Sequence, residues 1–290
     1  MTIKEIDAAL EEGESLKAIA QAYSEIANLK IKRIRNAVER NRLFFNEILK
    51  VYSMVKSLAL KKKVSIIKPK KRLCVLLTSN HRFYGNINTS LINYFIGSTR
   101  ELPDIDRIIL GKGGVEYFRA INILPNFKAV ILKDDMPTSE ELANLVNLSA
   151  DYNQVLVFHS KFKSLLMQQA TSTDITATSL YLKEYVKTFH KEGSETEMRF
   201  IFEPELPKVV KFFDSQILTL LLESTFLESE LSRTTSRFIS MDQAETASMK
   251  FIKEYQTLKA YAKRNMENKA ILENFAAMVA VRKENSSMSS

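Results

Sequence analysis

The chain has no tryptophan, one cysteine, three histidines, six prolines and seven glycines in 290 residues, and these shortages exclude several functions. Cys74 alone permits neither an internal disulfide nor a cysteine-rich zinc site. It lies in the apolar run 73–77, where a small buried hydrophobe is expected rather than a reactive thiol. His81, His159 and His190 are widely separated and show no metal-ligand spacing. No apolar run approaches the ~18–20 residues of a membrane span. The stretch 217–222 is short and is interrupted by Thr219. The first residues are charged and lack the apolar segment of a signal peptide, so a cytoplasmic protein is expected, peripheral to the inner face of the cell membrane at most.

What is present is a balanced, foldable composition, 45% hydrophobic and 26% charged, with a net charge of +8 that favours acidic partners. Breaker placement organises it. Residues 14–68 contain neither glycine nor proline, nor do residues 208–290, whereas every proline lies between 69 and 207. Each breaker costs about 1–3 kcal/mol inside a helix, so two long helices should flank a punctuated middle. Ile34, Val38, Phe45, Ile48 and Val55 step by 4, 7, 3 and 7. Phe213, Ile217, Leu220, Leu227, Leu231, Phe238 and Met241 step by 4, 3, 7, 4, 7 and 3. Both are single apolar seams at coiled-coil spacing, and the second helix would reach about 120 Å if unbroken. Ile252 follows Met241 by 11, a stutter that locally relaxes a supercoil.

The middle alternates. Residues 72–79, 107–110, 128–132, 154–160 and 199–202 read as short buried strands, and 89–96, 115–121 and 139–148 as amphipathic helices, with Thr138 and Glu141 forming a capping box. Alternation predicts a mostly parallel sheet covered by helices. The expected fold is therefore mixed α/β: a long antiparallel helical coiled coil, 1–68 and 208–290, with an α/β (Rossmann-like) domain inserted at 69–207.

Catalytic signatures are missing. Gly111-Lys112-Gly113-Gly114 follows a strand but has the spacing neither of G-x-x-x-x-G-K-[ST] nor of G-x-G-x-x-G, so a tight strand-to-helix turn is expected. There is no G-x-S-x-G elbow. Glu140 and Glu141 suit a helix N-terminus better than a catalytic pair. Lys30, Lys32, Arg33, Arg35, Arg40 and Arg42 crowd the first helix, and Lys61–Lys63 with Lys68, Lys70, Lys71 and Arg72 form a second basic cluster. A coiled-coil protein that binds nucleic acid is the alternative of another class, but aromatics are not interleaved with these charges. A solvated helix face and contact with an acidic protein are the competing readings.

Particular residues then point to one family. Ile19, Ala22, Ile26, Ala27, Lys30, Ile31, Lys32 and Arg33 resemble in kind the I-T-K-A-M-x-M-V-A-x-x-K-L-R-R stretch of the gamma subunits of F-type ATP synthases. Thr78, Ser79, Gly85 and Asn88 keep their places in T-S-D-R-G-L-C-G-G-F-N. The run from Gln154 through Phe158 to Ser164 is similar to V-x-Y-N-x-F-x-S, and Phe202-Glu203-Pro204 to F-E-P. Glu223-Ser224 and Ser236-Arg237-Phe238-Ile239-Ser240-Met241-Asp242-Gln243-Ala244 resemble E-S and S-R-M-x-A-M-D-N-A. The resemblance spans nearly the whole chain in the right order.

It implies a rotary shaft without catalytic chemistry, cofactor or metal, turning inside a hexameric ring of alpha/beta-type nucleotide-binding subunits. The domain would dock onto an epsilon/delta-like stalk subunit or another rotor component, and no nucleic acid is expected. Lys30, Lys32, Arg33, Ser236, Arg237 and Met241 would contact the ring. Where the family has S-E-H, this chain has Ser232-Arg233-Thr234, an acid become a base, and beyond Leu258 the family's contact motif is not recognisable. Such drift suits a specialised paralogue, and the resemblance extends to the F-type-like motors of mycoplasmas, some tied to gliding motility.

Overall fold

The computed structural model describes residues 2–61, 71–102, 104–123, 126–149, 152–176 and 203–287. Its elements are α1 (Ile3–Lys61), β1 (Arg72–Leu77), α2 (Ile87–Thr99), β2 (Ile105–Leu110), α3 (Lys112–Ile121), β3 (Lys128–Val130), α4 (Ser139–Ser149), β4 (Gln154–Phe162), β5 (Gln168–Asp174) and α5 (Leu206–Ser287). The two breaker-free ends are helices of 59 and 82 residues. Pro207 sits in the first turn of α5, where its missing N–H removes no helical hydrogen bond. Four of the five expected strands and all three short helices are present, with ends shifted by up to three residues. The fifth expected strand, 199–202, lies outside the described residues, as does the second basic cluster from Lys62 to Lys70.

The chain divides into two compact units, residues 26–239 and residues 1–25 with 240–290. In the larger unit the sheet order is β3-β2-β1-β4-β5. β1 pairs in parallel with β2 and β4, β3 in parallel with β2, and β5 antiparallel with β4. β5 was not foreseen. It is a polar edge strand, Gln168 to Asp174, that contributes ladder hydrogen bonds rather than an apolar face.

Alternation along β1 builds two cores at once. Leu73, Val75 and Leu77 face Leu145 and Val146 of α4 and Leu218, Leu222 and Phe226 of α5. Cys74 and Leu76 face Leu91, Ile92 and Phe95 of α2 and Val115 and Phe118 of α3. Each fully buried large side chain contributes about 1.5–3 kcal/mol.

Within this unit α1 runs antiparallel to α5. Val55 meets Leu206 and Val210, Leu49 and Tyr52 meet Ile217, and Ile31 and Ile34 meet Leu227 and Leu231. The partner's number rises as α1's falls, and the contacts use the apolar seams seen in the sequence. In the smaller unit the same antiparallel sense holds. Gln21 Nε2 donates to Glu245 at 2.7 Å, and Asp7 pairs with Lys259 at 2.7 Å. Gly13 permits the close approach between them, since a Cβ there would lie 2.9 Å from the Phe251 ring. Thr2 and Glu5 cap α1 reciprocally, each accepting the other's backbone N–H.

Candidate functional site

A run of polar residues occupies α5 from Ser229 to Arg237. The structure buries it. Ser229, Glu230, Ser232, Arg233, Thr234 and Thr235 are at most 1% exposed, and Ser236 and Arg237 are 8% and 9% exposed. This turn of helix is enclosed by α1 on one side and the C-terminal ends of the strands on the other, so every polar group needs a partner.

Glu230 supplies the centre. It accepts from Arg233 Nη2 at 2.9 Å and pairs with Lys30 of α1. Burial alone would raise its pKa, but the charges of Arg233 and Lys30 outweigh that and hold it below the ordinary carboxylate value. Arg233 reaches onward with Nη1 to Ser229 Oγ at 3.1 Å and to the Thr78 carbonyl at 3.4 Å, and with Nη2 to the Asp135 carbonyl at 3.5 Å. One charge network, buried except at Lys30, thus joins α1, α5 and the segments that follow β1 and β3. The base at position 233 finds its counter-charge one turn back on its own helix.

The 78–88 loop is held to the same stretch. Ser236 Oγ donates to the Tyr84 carbonyl at 2.8 Å, and Arg237 donates to the Arg82 carbonyl at 2.9 Å while its guanidinium lies 4.0 Å from the Tyr84 ring centre. Tyr84 OH and the Asn80 N–H each donate to Asp135 at 2.5 Å. Burial, with the nearby charges of Glu230 and Asp135, pushes the Tyr84 phenol well above its usual range.

The Gly111 turn is closed internally. Gly111 N–H donates to Val130, Gly113 N–H to Ser79, Gly114 N–H to Thr78 Oγ1 and Lys112 N–H to Asn80 Oδ1. These amides therefore hold the 78–80 segment, in agreement with a tight strand-to-helix turn and against a phosphate cradle.

In open α/β sheets, ligands bind beyond the strands' C-terminal ends where the strand order reverses. Here the reversal lies between β1 and β4, and α5 fills that crevice: Ser229 bonds Ser160 of β4 at 3.2 Å while Arg233 bonds Thr78. Among the described residues His81, Asp134 and Asp135 form one grouping with metal-ligand geometry, within 4.8 Å of one another. Both Asp135 oxygens already accept hydrogen bonds and His81 bonds Asp134 at 3.0 Å, so the group braces two loops.

Of the residues the family resemblance singled out, Lys30, Ser236 and Arg237 come together at this joint, Arg237 through its stack on Tyr84. Lys32 and Arg33 project from the exposed side of α1. Met241, half-buried, belongs to the smaller unit. Glu230, Arg233 and Asp135 were missed as a group. The signal available was three charged residues at positions flanked by apolar seams, which burial alone could make interpretable.

The larger unit is a sheet domain packed against two long helices, with the crevice at its strand reversal filled by side chains of α5. Comparison with known proteins gives this arrangement its class. A family model described as ATP synthase matches residues 2–273. The ATP synthase gamma chain of Bdellovibrio bacteriovorus is 26% identical over 265 residues, covering 84% of this chain and 86% of that one. The central stalk in the Tetrahymena thermophila mitochondrial ATP synthase structure superposes with a TM-score of 0.57 at 21% identity, covering 78% of this chain and 99% of that one. The rotor of the Euglena gracilis mitochondrial enzyme gives 0.57 at 13% identity, covering 91% and 99%. The chain belongs to the ATP synthase gamma family. Among the described residues no helix is long and apolar enough to cross a membrane.

Proposed function

We propose that this chain is the central-stalk shaft of an F-type rotary ATPase, a non-catalytic subunit that converts events in a ring of alpha/beta-type nucleotide-binding subunits into rotation. The observation that carries this reading is the family match over residues 2–273 laid on a chain whose two end helices are fastened to one domain by the Lys30–Glu230–Arg233 network. A shaft must carry torque without slipping against its foot, and a three-way charge joint centred on the buried Glu230 resists such slip.

In finer detail, the helical ends, 1–68 and 208–290, form the antiparallel coiled coil, and 69–207 is the Rossmann-like foot that docks an epsilon/delta-like stalk subunit or another rotor component. The 4-7-3-7 seams support the coiled coil, and the crossover strand order supports the foot. Lys32 and Arg33 present charge to acidic loops of the ring, and Met241 an apolar contact. Lys30, Ser236 and Arg237 act at the same surface through the Glu230 carboxylate and the 78–88 loop.

Native mass spectrometry of the complex purified through a tag on this chain tests the reading. One copy with six nucleotide-binding subunits is the expected result. A co-purifying membrane ring identifies a synthase, and a different assembly identifies a specialised motor. Recovery of nucleic acid without a hexamer, with steep salt dependence of duplex binding, would sink the rotor reading.

A further inference from the structure

We propose that His81, Asp134 and Asp135 bind a first-row divalent cation, zinc in preference to magnesium, which clasps the segment after β1 to the segment after β3. The three offer one ring nitrogen and two carboxylate oxygens within 4.8 Å of one another. His81 Nε2 and Asp134 Oδ1 are 3.0 Å apart. Two donors at ordinary zinc distances stand about 3.0–3.4 Å apart when they share one ion, so these two need hardly move.

A hydrogen bond would suffice to explain that pair, but it does not explain Asp135, which is 3% exposed. Its carboxylate accepts from the Asn80 N–H and the Tyr84 O–H, both at 2.5 Å. Both donors are neutral, and among the described residues no lysine or arginine nitrogen lies within 4.0 Å of the carboxylate. Arg233 reaches only the Asp135 backbone carbonyl, and both Arg233 and Lys30 are paired with Glu230. A carboxylate taken out of water ordinarily meets a counter-charge or a metal.

The existing hydrogen bonds leave room for the ion. Each Asp135 oxygen keeps a second lone pair, and bonds from neutral donors are what orient a ligating carboxylate. Asp134 is steadied by the Asp135 N–H at 2.7 Å. The side chains of His81 and Asp134 are 56% and 64% exposed, so an ion enters from solvent and keeps water on its remaining positions. The imidazole selects the class, since magnesium and calcium favour all-oxygen shells whereas zinc and its neighbours accept nitrogen. On binding, the neutral ring carries its proton on Nδ1 and gives the Nε2 lone pair to the ion. Ser236 and Arg237 hold the same loop to α5, so the clasp adds a metal-dependent fastening to the joint.

The complex purified through a tag on this chain, stripped of metal and reloaded with zinc in excess magnesium, provides the test. Elemental mass spectrometry should find one more zinc per chain in the parent than in His81→Ala or Asp134→Asn, both changes at exposed side chains. Tyr84→Phe removes a donor to Asp135 and no ligand, and should weaken zinc binding about tenfold. Zinc should also slow amide exchange in residues 78–88 of the parent and not of H81A. Equal zinc in parent and variants, displacement of the extra zinc by magnesium, Y84F binding like the parent, or exchange that zinc leaves unchanged overturns the proposal, whichever assembly the chain is recovered in.

Discussion

The Arg233 side chain, in the middle of the polar run of α5, is 1% exposed. A guanidinium taken out of water is tolerable only with a counter-charge and acceptors for its fork; Glu230 with three oxygens from Ser229, Thr78 and Asp135 serves both terminal nitrogens, while the buried Nε has no partner among the described residues. The carboxylate is the vulnerable member. Glu230→Gln keeps the shape but leaves Arg233 buried without its anion, so urea denaturation should show a loss of about 3–5 kcal/mol. Replacing both residues by methionine should recover most of it. A loss near zero for E230Q would mean that water, rather than Glu230, satisfies the arginine.

At the scale of elements, turns matter as much as helices. Gly111 adopts φ +94°, and a Cβ there would lie 2.5 Å from the Thr78 carbonyl oxygen, which is backbone and cannot step aside. Gly111→Ala should therefore displace β1 from α3, seen as faster amide exchange in residues 78–85 with the 206–220 region of α5 unchanged. A protection pattern identical to the parent would show that the turn relaxes freely. The long helices, the four parallel strands and the Thr138–Glu141 cap were legible in the sequence because breaker spacing and apolar period reflect local rules; the cap's two reciprocal hydrogen bonds are present. β5 was not legible, since an edge strand of Gln, Thr and Ser is stabilised by its neighbour's ladder and carries no periodic signal. The joint at 229–237 was illegible for a different reason. Its polar residues obey the helical period, but what surrounds them is set by residues some 100 to 155 positions away, such as Asp135 and Thr78 opposite Arg233. The partner-contact residues were read by resemblance, and that reading did not reveal that Ser236 and Arg237 spend their hydrogen bonds inside the chain.

For the whole folded unit, pH dependence on the acid side follows from His159. Burial holds its pKa down to about 4 against an ordinary 6.5, with Lys161 and Arg233 reinforcing and the Ser160 carbonyl opposing. Thr173 Oγ1 lies 2.9 Å from Nε2 on one side and Glu228 4.0 Å from Nδ1 on the other. The unfolded chain takes up this proton first, so the stabilisation is complete above pH 6.5 and is lost as pH falls toward 4, by about 3 kcal/mol. Glu228, whose pKa burial raises, works in the opposite sense, losing its contribution as pH rises. The difference between the parent and His159→Gln isolates the histidine: denaturation at pH 7.5 and pH 4.5 should show a smaller acid loss in the variant, and equal losses would exclude His159 as the cause.

The crevice between β1 and β4, filled by Ser229 and Arg233, has a consequence for information as well as for strength. Other sheets of this topology are instruments that report whether a small molecule is present, because an empty crevice and a filled one favour different shapes. Here the crevice is permanently answered by the chain itself. A metabolite arriving there would first have to expel a buried cation, so this crevice answers to packing and not to solution chemistry.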